Sequence, residues 1–235
     1  MPMCLNIEEN AVFVADAHFN ALRHDFSVFL QKVKEGEIKT SQLFLMGDMF
    51  DFITQESFYF IKQNQALIDT INELSQSIEM FYLEGNHDYN LERLFPNVQV
   101  IARENQPLLG TYDGKSVALS HGDNFENTSY NIYCAIIRNH PLLKFLNMID
   151  FSHWLSKKID YALREKMICR TYTGFDKKVQ TRLENYNSDI VVEGHFHQGK
   201  EFEFNNKRYV NIPSLFCSKE YVVLQLHEFK KVALN

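Results

Sequence analysis

Four short apolar runs in the first half of the chain each lead into a turn carrying chemically capable polar residues, and that recurrence constrains the fold most. Ala11 to Ala15 leads into Asp16-Ala17-His18, and Leu43 to Met46 leads into Gly47-Asp48. Ile78 to Leu83 leads into Gly85-Asn86-His87-Asp88, and Val117 to Leu119 leads into Ser120-His121-Gly122-Asp123. Each run is strand-length and flanked by turn chemistry, while Phe26 to Lys34 and Ser57 to Leu74 between them carry apolar residues at helical spacing. This alternation predicts a layered α/β core that delivers functional side chains at the carboxyl ends of its strands, where the connecting loops converge.

From Asn124 to Ser188 the texture changes. Strand-like runs vanish, and Ile132, Ile136, Ile137, Leu142, Leu143, Phe145, Leu146, Ile149, Trp154 and Leu155 predict two or three helices. Asp189 to Val192 then resumes the strand pattern into Gly194-His195-Phe196-His197. Glu201 to Phe204, Arg208 to Ile212 and Tyr221 to Leu226 read as antiparallel strands. With 235 residues, 45% of them hydrophobic, the chain can bury a sizeable core. It reads as a single domain, 1–235, with a helical cap inserted at about 124–188.

A net charge of -6 excludes the basic footprint of a general nucleic-acid binder, so no long nucleic acid is expected as a partner. The charge is uneven: the inserted segment holds ten Lys or Arg against six Asp or Glu, a balance of +4, which leaves -10 elsewhere. Cys4, Cys134, Cys169 and Cys217 form no C-x-x-C pair and are expected to be reduced thiols in a cytoplasmic protein. Met1 to Asn10 lacks Lys and Arg, which argues against a secretory signal, and no stretch approaches the roughly 20 apolar residues of a spanning helix.

Any one of the strand-end motifs could be an ordinary turn. Five in order are harder to explain that way: Asp16-x-His18, Gly47-Asp48-x-x-Asp51, Gly85-Asn86-His87-Asp88, His121 and Gly194-His195-x-His197. Two divalent ions about 3.5 to 4 Å apart need a shared set of oxygen and nitrogen ligands with one carboxylate able to bridge them. Asp16, His18, Asp48, Asn86, His121, His195 and His197 supply that inventory. Without thiolate, the set favours first-row ions, manganese first with iron or zinc as alternatives, over magnesium or calcium held by oxygen alone.

In these five motifs the chain resembles the calcineurin-like metallophosphoesterase superfamily, over Asp16 to His197. The resemblance implies a four-layer α/β/β/α sandwich. It also implies one metal held by Asp16, His18, Asp48 and His197, and a second held by Asp48, Asn86, His121 and His195, with Asp48 as the bridge. His87 would face the leaving group as the catalytic proton donor, with Asp88 orienting its imidazole; Asp51 and Asp123 would orient ligands. Asn211-Ile212-Pro213-Ser214 is similar to the family's N-P-G-S turn with an inserted Ile. His24, His140, His153 and His227 fall outside every motif. Phe52-Ile53 after Asp51 replaces the Arg-Gly that protein serine/threonine phosphatases place there.

Within the superfamily, the long helical insertion is similar to that of the UDP-2,3-diacylglucosamine hydrolases of lipid A synthesis. That likeness implies pyrophosphate cleavage of a nucleotide-linked lipid at the inner-membrane surface, releasing UMP and a diacylglucosamine 1-phosphate. Arg138, Arg170, Lys177 and Lys178 are the cap's candidates for the substrate phosphates, and its apolar residues are candidates for the acyl chains. One residue departs from the best-known branch, which has Arg in G-N-R-D where this chain has His87. An alkoxide needs a proton on leaving and a phosphate hardly does, so His87 fits an ester hydrolase equally well. The alternative is therefore a metallophosphoesterase acting on a soluble nucleotide or phosphodiester. A non-catalytic scaffold on the same fold has little reason to keep all seven ligands and His87.

Overall fold

A computed structural model of the chain describes residues 5–235, so Cys4 falls outside the described residues. In chain order the elements are β1 (Leu5–Asn6), β2 (Val12–Val14), α1 (Asp25–Lys34), β3 (Gln42–Leu45), α2 (Phe58–Leu74), β4 (Glu79–Leu83), β5 (Gln99–Ile101), β6 (Leu108–Tyr112) and β7 (Lys115–Ser120). The insertion follows as α3 (Thr128–Ile137), α4 (His140–Ile149), α5 (Trp154–Arg164) and α6 (Phe175–Leu183). The chain closes with β8 (Ile190–Glu193), β9 (Glu201–Phe204), β10 (Lys207–Asn211), α7 (Leu215–Ser218), β11 (Glu220–Gln225) and β12 (Glu228–Ala233).

Two six-stranded mixed sheets result, ordered β12-β11-β2-β3-β4-β5 and β1-β6-β7-β8-β10-β9. β2 to β5 are mutually parallel, as are β7, β8 and β10. Between the sheets Phe13, Phe44 and Phe81 stack at 4.7 Å ring spacing and meet Val117, Leu119, Val192 and Ile212 from the facing sheet. Burying each such ring contributes roughly 1.5–3 kcal/mol. On the outer face of the first sheet, Phe26, Phe29, Leu30 and Val33 of α1 and Ile68 and Ile71 of α2 cover Val14, Leu43 and Leu45. Phe175, Val179 and Leu183 of α6 cover Ala118, Val191 and Tyr209 of the second. The outcome is the layered α/β core that the alternation predicts, arranged as the sandwich that the resemblance implies.

Three expectations need correction. The insertion holds four α-helices, because Asn139 caps α4, accepting from the Leu142 amide at 2.9 Å, and Pro141 in its first turn separates it from α3. The strands after His197 do not form one antiparallel set. β10 runs parallel to β8 and antiparallel to β9, whereas β11 joins the other sheet, antiparallel to β2. The cysteines are not all free: Cys169 and Cys217 are disulfide-bonded, with Cα atoms 5.5 Å apart despite a sequence separation of 48. The fold brings together what the sequence spacing conceals, and Cys134 alone among the described cysteines is free.

Candidate metal centre

All five motifs lie at the carboxyl ends of parallel strands: Asp16 beyond β2, Asp48 beyond β3, Asn86 beyond β4, His121 beyond β7 and His195 beyond β8. The glycines of two motifs are there for space. A Cβ on Gly47, whose φ is +88°, would lie 2.4 Å from His121 Nδ1, and one on Gly85 would lie 2.2 Å from Asp48 Oδ1. Only glycine lets these turns close on the ligands.

The structure gathers the seven residues into two adjoining groups. Asp16, His18 and His197 form one, with Asp16 Oδ1 3.3 Å from His197 Nε2; Asp48, His121 and His195 form the other. Asp48 Oδ2 stands between them, 3.9 Å from His18 Nε2 and 3.6 Å from His121 Nε2. Asn86 Oδ1 is 3.4 Å from His121 Nε2, which faces His195 Nδ1 at 3.2 Å. Backbone carbonyls, which can only accept, fix the imidazoles. His121 Nδ1 donates to Met46 O at 2.9 Å and His197 Nδ1 donates to Ile168 O at 3.1 Å, so each turns an Nε2 lone pair inward.

Asp16 Oδ1 and both ring nitrogens of His18 are buried without a hydrogen-bond partner. Unpaired buried polar atoms are costly, and a cation that takes the Asp16 oxygen and the His18 lone pair as ligands removes much of that cost. The residues present therefore fit a pair of divalent ions. The electrostatics agree. Burial opposes charge on Asp48, but the imidazoles of His121, His87, His18 and His195 outweigh it and hold the carboxyl well below its usual range. Burial also opposes a charged His121, yet Asp48, Asp123 and Asp16 push it up to about 9. His195, buried beside His121, is held well below its ordinary value.

His87 donates from Nδ1 to Asp51 O at 2.6 Å, leaving Nε2 toward the cavity. Asp88 is not its partner. The Asp88 carboxylate accepts from the amides of Asp48, Met49 and Gly85 and from Tyr82 Oη, all within 2.9 Å, so it staples the two ligand loops together. Burial, with the Asp48 charge beside it, pushes its pKa up to about 6. Asp51 faces His18 Nδ1 at 3.4 Å and pairs with Arg23 at 2.9 Å. Asp123 pairs with Arg103 and forms no hydrogen bond to a ligand imidazole.

Of the four cationic cap candidates, Arg138 is spent elsewhere. Its guanidinium donates to Glu84 at 2.8 Å and to Gly85 O, tying α3 to the Gly85-Asn86 loop instead of facing the cavity. Lys177 is exposed on α6 and lines no cavity near the ligands. Arg170 lines the cavity of about 420 Å³ over the ligand groups, and Lys178 lines a neighbouring one.

Sequence reasoning passed over several contributors. Lys166 Nζ lies 3.5 Å from His87 Nε2. Arg23 holds the segment carrying Lys166 through the carbonyls of Arg164 and Lys166. The disulfide ties the same segment to α7, where Ser214 Oγ donates to Asp16 O. Glu193, fully buried before Gly194, accepts from Arg182, Tyr186 and Tyr209. The strand-end position of Glu193 was its one sequence signal.

The family description "Calcineurin-like phosphoesterase" matches residues 10–199. The chain belongs to that family. It is therefore a phosphoester hydrolase of a metal-dependent class. It is 24% identical over 200 residues to a UDP-2,3-diacylglucosamine hydrolase of Vibrio cholerae serotype O1, covering 80% of this chain and 81% of that one. A UDP-2,3-diacylglucosamine hydrolase of Vibrio atlanticus is 21% identical over 236 residues, covering 90% and 87%. Among solved structures, a Thermus thermophilus protein superposes with a TM-score of 0.51 at 12% identity, over 97% of this chain and 100% of that one, a likeness of fold alone.

Proposed function

We propose that the chain is a dinuclear hydrolase that cleaves the pyrophosphate of UDP-2,3-diacylglucosamine, releasing UMP and a diacylglucosamine 1-phosphate. Asp16, His18 and His197 would hold one ion and Asn86, His121 and His195 the other, with Asp48 shared; manganese is the first choice, then iron or zinc. When bound, such ions activate water and neutralise phosphoryl oxygens. The chain's own residues supply the rest. His87, its Nδ1 proton fixed on Asp51 O, presents Nε2 to the leaving oxygen, and in its doubly protonated form it gives up the Nε2 proton and is left as the neutral Nδ1–H imidazole. Lys166 brings a cation beside His87, and Arg170 brings another to the lining of the same cavity.

The observation that carries the lipid reading is the exposure of apolar side chains on the cap. Ile132, Tyr133 and Ile136 of α3, Phe145 and Met148 of α4, and Phe151 and Trp154 beyond them are each half exposed or more. Exposed apolar side chains in that number mark an interaction surface. On this reading the enzyme works at the cytoplasmic face of the inner membrane, as a peripheral protein; no helix among the described residues is long and apolar enough to cross a membrane. Between cap and core, Phe52, Phe60, Leu143, Leu146, Leu155 and Ile159 line a narrow apolar cleft that suits an alkyl chain.

His87 favours a second reading, hydrolysis of a soluble phosphodiester whose alkoxide needs that proton. The two separate on matched diacylated and deacylated UDP-glucosamines, compared by kcat/KM in detergent micelles with the metal held constant. Each buried methylene contributes about 0.8 kcal/mol, so even a few buried carbons give the acylated substrate an advantage of tenfold or more. Equal values would remove the lipid reading and leave the soluble substrate.

A further inference from the structure

A second cavity of about 420 Å³ opens beside the one over the ligand groups, and His195, His197, Ile168 and Arg170 line both. Its volume lies in the range of small-molecule sites. Its remaining walls differ from the cleft between cap and core, where Leu143, Leu146, Leu155 and Ile159 join Phe52 and Phe60: they are the rings of Tyr130, Tyr172 and Phe196, with the charged Lys178 and Glu126 among them. Lys178 Nζ stands 5.0 Å from the Phe196 ring centre and 5.7 Å from that of Tyr172, and it pairs with Glu126 at 3.1 Å. The Tyr172 backbone is anchored by its amide donating to Gln198 Oε1 at 2.9 Å, while its side chain is left partly open to solvent. Arg170, at the junction of the two cavities, has no ion-pair partner among the described residues; its carbonyl accepts from Gln198 Nε2 at 2.9 Å.

We propose that this cavity is the nucleotide half of the site. The base stacks on the Tyr172 face, and Arg170 takes the phosphate that joins the nucleoside to the bond being cleaved. The acylated half then leaves in the other direction, toward the cleft that α4 and α5 form with Phe52 and Phe60. Flat aromatic walls with cations beside them suit a heterocycle and its phosphate, whereas a flexible alkyl chain gains nothing from those cations and is better served by the uncharged Leu143, Leu146, Leu155 and Ile159 of the other cleft. The proposal rests on the reading of a nucleotide-linked substrate given above. It adds the direction in which that substrate lies across the metal ligands.

The test is calorimetric titration of the manganese-loaded protein with UMP, ribose 5-phosphate and inorganic phosphate, with melting temperature as a check on folding. The wild type is expected to bind UMP at least tenfold more tightly than ribose 5-phosphate, a margin that measures the base. Tyr172→Ala is expected to erase that margin while still binding ribose 5-phosphate, and Arg170→Met to weaken both organic phosphates. If the margin is present in the wild type and survives in Tyr172→Ala and Lys178→Ala, the base binds elsewhere and this placement is wrong. If the wild type binds UMP no better than inorganic phosphate, the nucleotide-linked reading itself fails, and the placement with it.

Discussion

Replacing Gly85 by alanine adds a single methyl group, yet it is expected to damage the centre more than most changes to its surface. The new Cβ would lie 2.2 Å from Asp48 Oδ1, 2.5 Å from the Asp48 amide nitrogen and 2.9 Å from Asp88 Oδ1. Two of those neighbours cannot easily retreat. Asp48 Oδ1 accepts from the His87 amide at 2.9 Å, and the Asp48 amide donates to Asp88 Oδ1 at 2.9 Å. Relieving the overlap therefore moves the Asp48 carboxylate or the Gly85 turn by about 1 Å, and a misplacement of about 1 Å costs roughly a hundredfold in rate. The stability cost is that of overpacking, about 1–3 kcal/mol, which for a chain this long lowers the melting temperature by several degrees without unfolding it at 25 °C. The assays are metal content per chain, turnover of bis-p-nitrophenyl phosphate, and thermal melting. A folded Gly85→Ala protein that keeps two ions per chain and turns over within threefold of wild type would refute the claim that this glycine sets the position of Asp48.

His87→Ala is expected to keep its metal content and lose about a hundredfold in turnover, more for an alkyl phosphodiester than for an aryl one; equal losses on the two would show that His87 does not protonate the leaving oxygen. Cys217→Ser, or treatment with a dithiol, opens a cross-link spanning 48 positions, for which chain entropy gives at most about 4 kcal/mol. The melting temperature is expected to fall and KM to rise more than kcat falls, since Lys166 to Arg170 lose an anchor; an unchanged melting temperature would show that the bond contributes nothing.

The strand ends were legible because hydrophobic runs and turn residues are local signals, and β2, β3, β4 and β8 start or stop within about two residues of the runs that announce them. β1, β5, β6 and β12 were not. Leu5–Asn6 and Gln99–Ile101 are too short to show a period, and in Glu228–Ala233, at the sheet edge, the adjacent Lys230 and Lys231 break the alternation and only Phe229 is buried. The cationic cap candidates divide for the same reason. Nothing local in Arg138 reveals that Glu84, 54 positions away, awaits it, and nothing near Cys169 points to Cys217. Asp88 was misread because adjacency in sequence suggested a contact with His87, whereas the turn sends its carboxylate the other way, into a nest of amides.

The residues that were easiest to find are held by those that were hardest. Asp16, His18, Asp48, His195 and His197 all have positive φ, between +45° and +62°. For side chains of this kind each such conformation costs on the order of 1–3 kcal/mol and persists only where its surroundings over-determine it. Those surroundings are buried polar braces. Ser214 Oγ donates to Asp16 O, and Asp88 receives the amides of Asp48 and Met49. Asn211 Nδ2 donates to Glu193 O and Gly194 O while its Oδ1 accepts from Gln198 N, which clasps the loop carrying His195 and His197 from both sides. The Asn211-Ile212-Pro213-Ser214 turn thus braces both the first motif and the last, its two polar residues reaching opposite ends of the chain's motif series. The ligand geometry is the product of this bracing as much as of the ligands, so conservative changes at Asn211 or Ser214 bear on the metal groups without touching them.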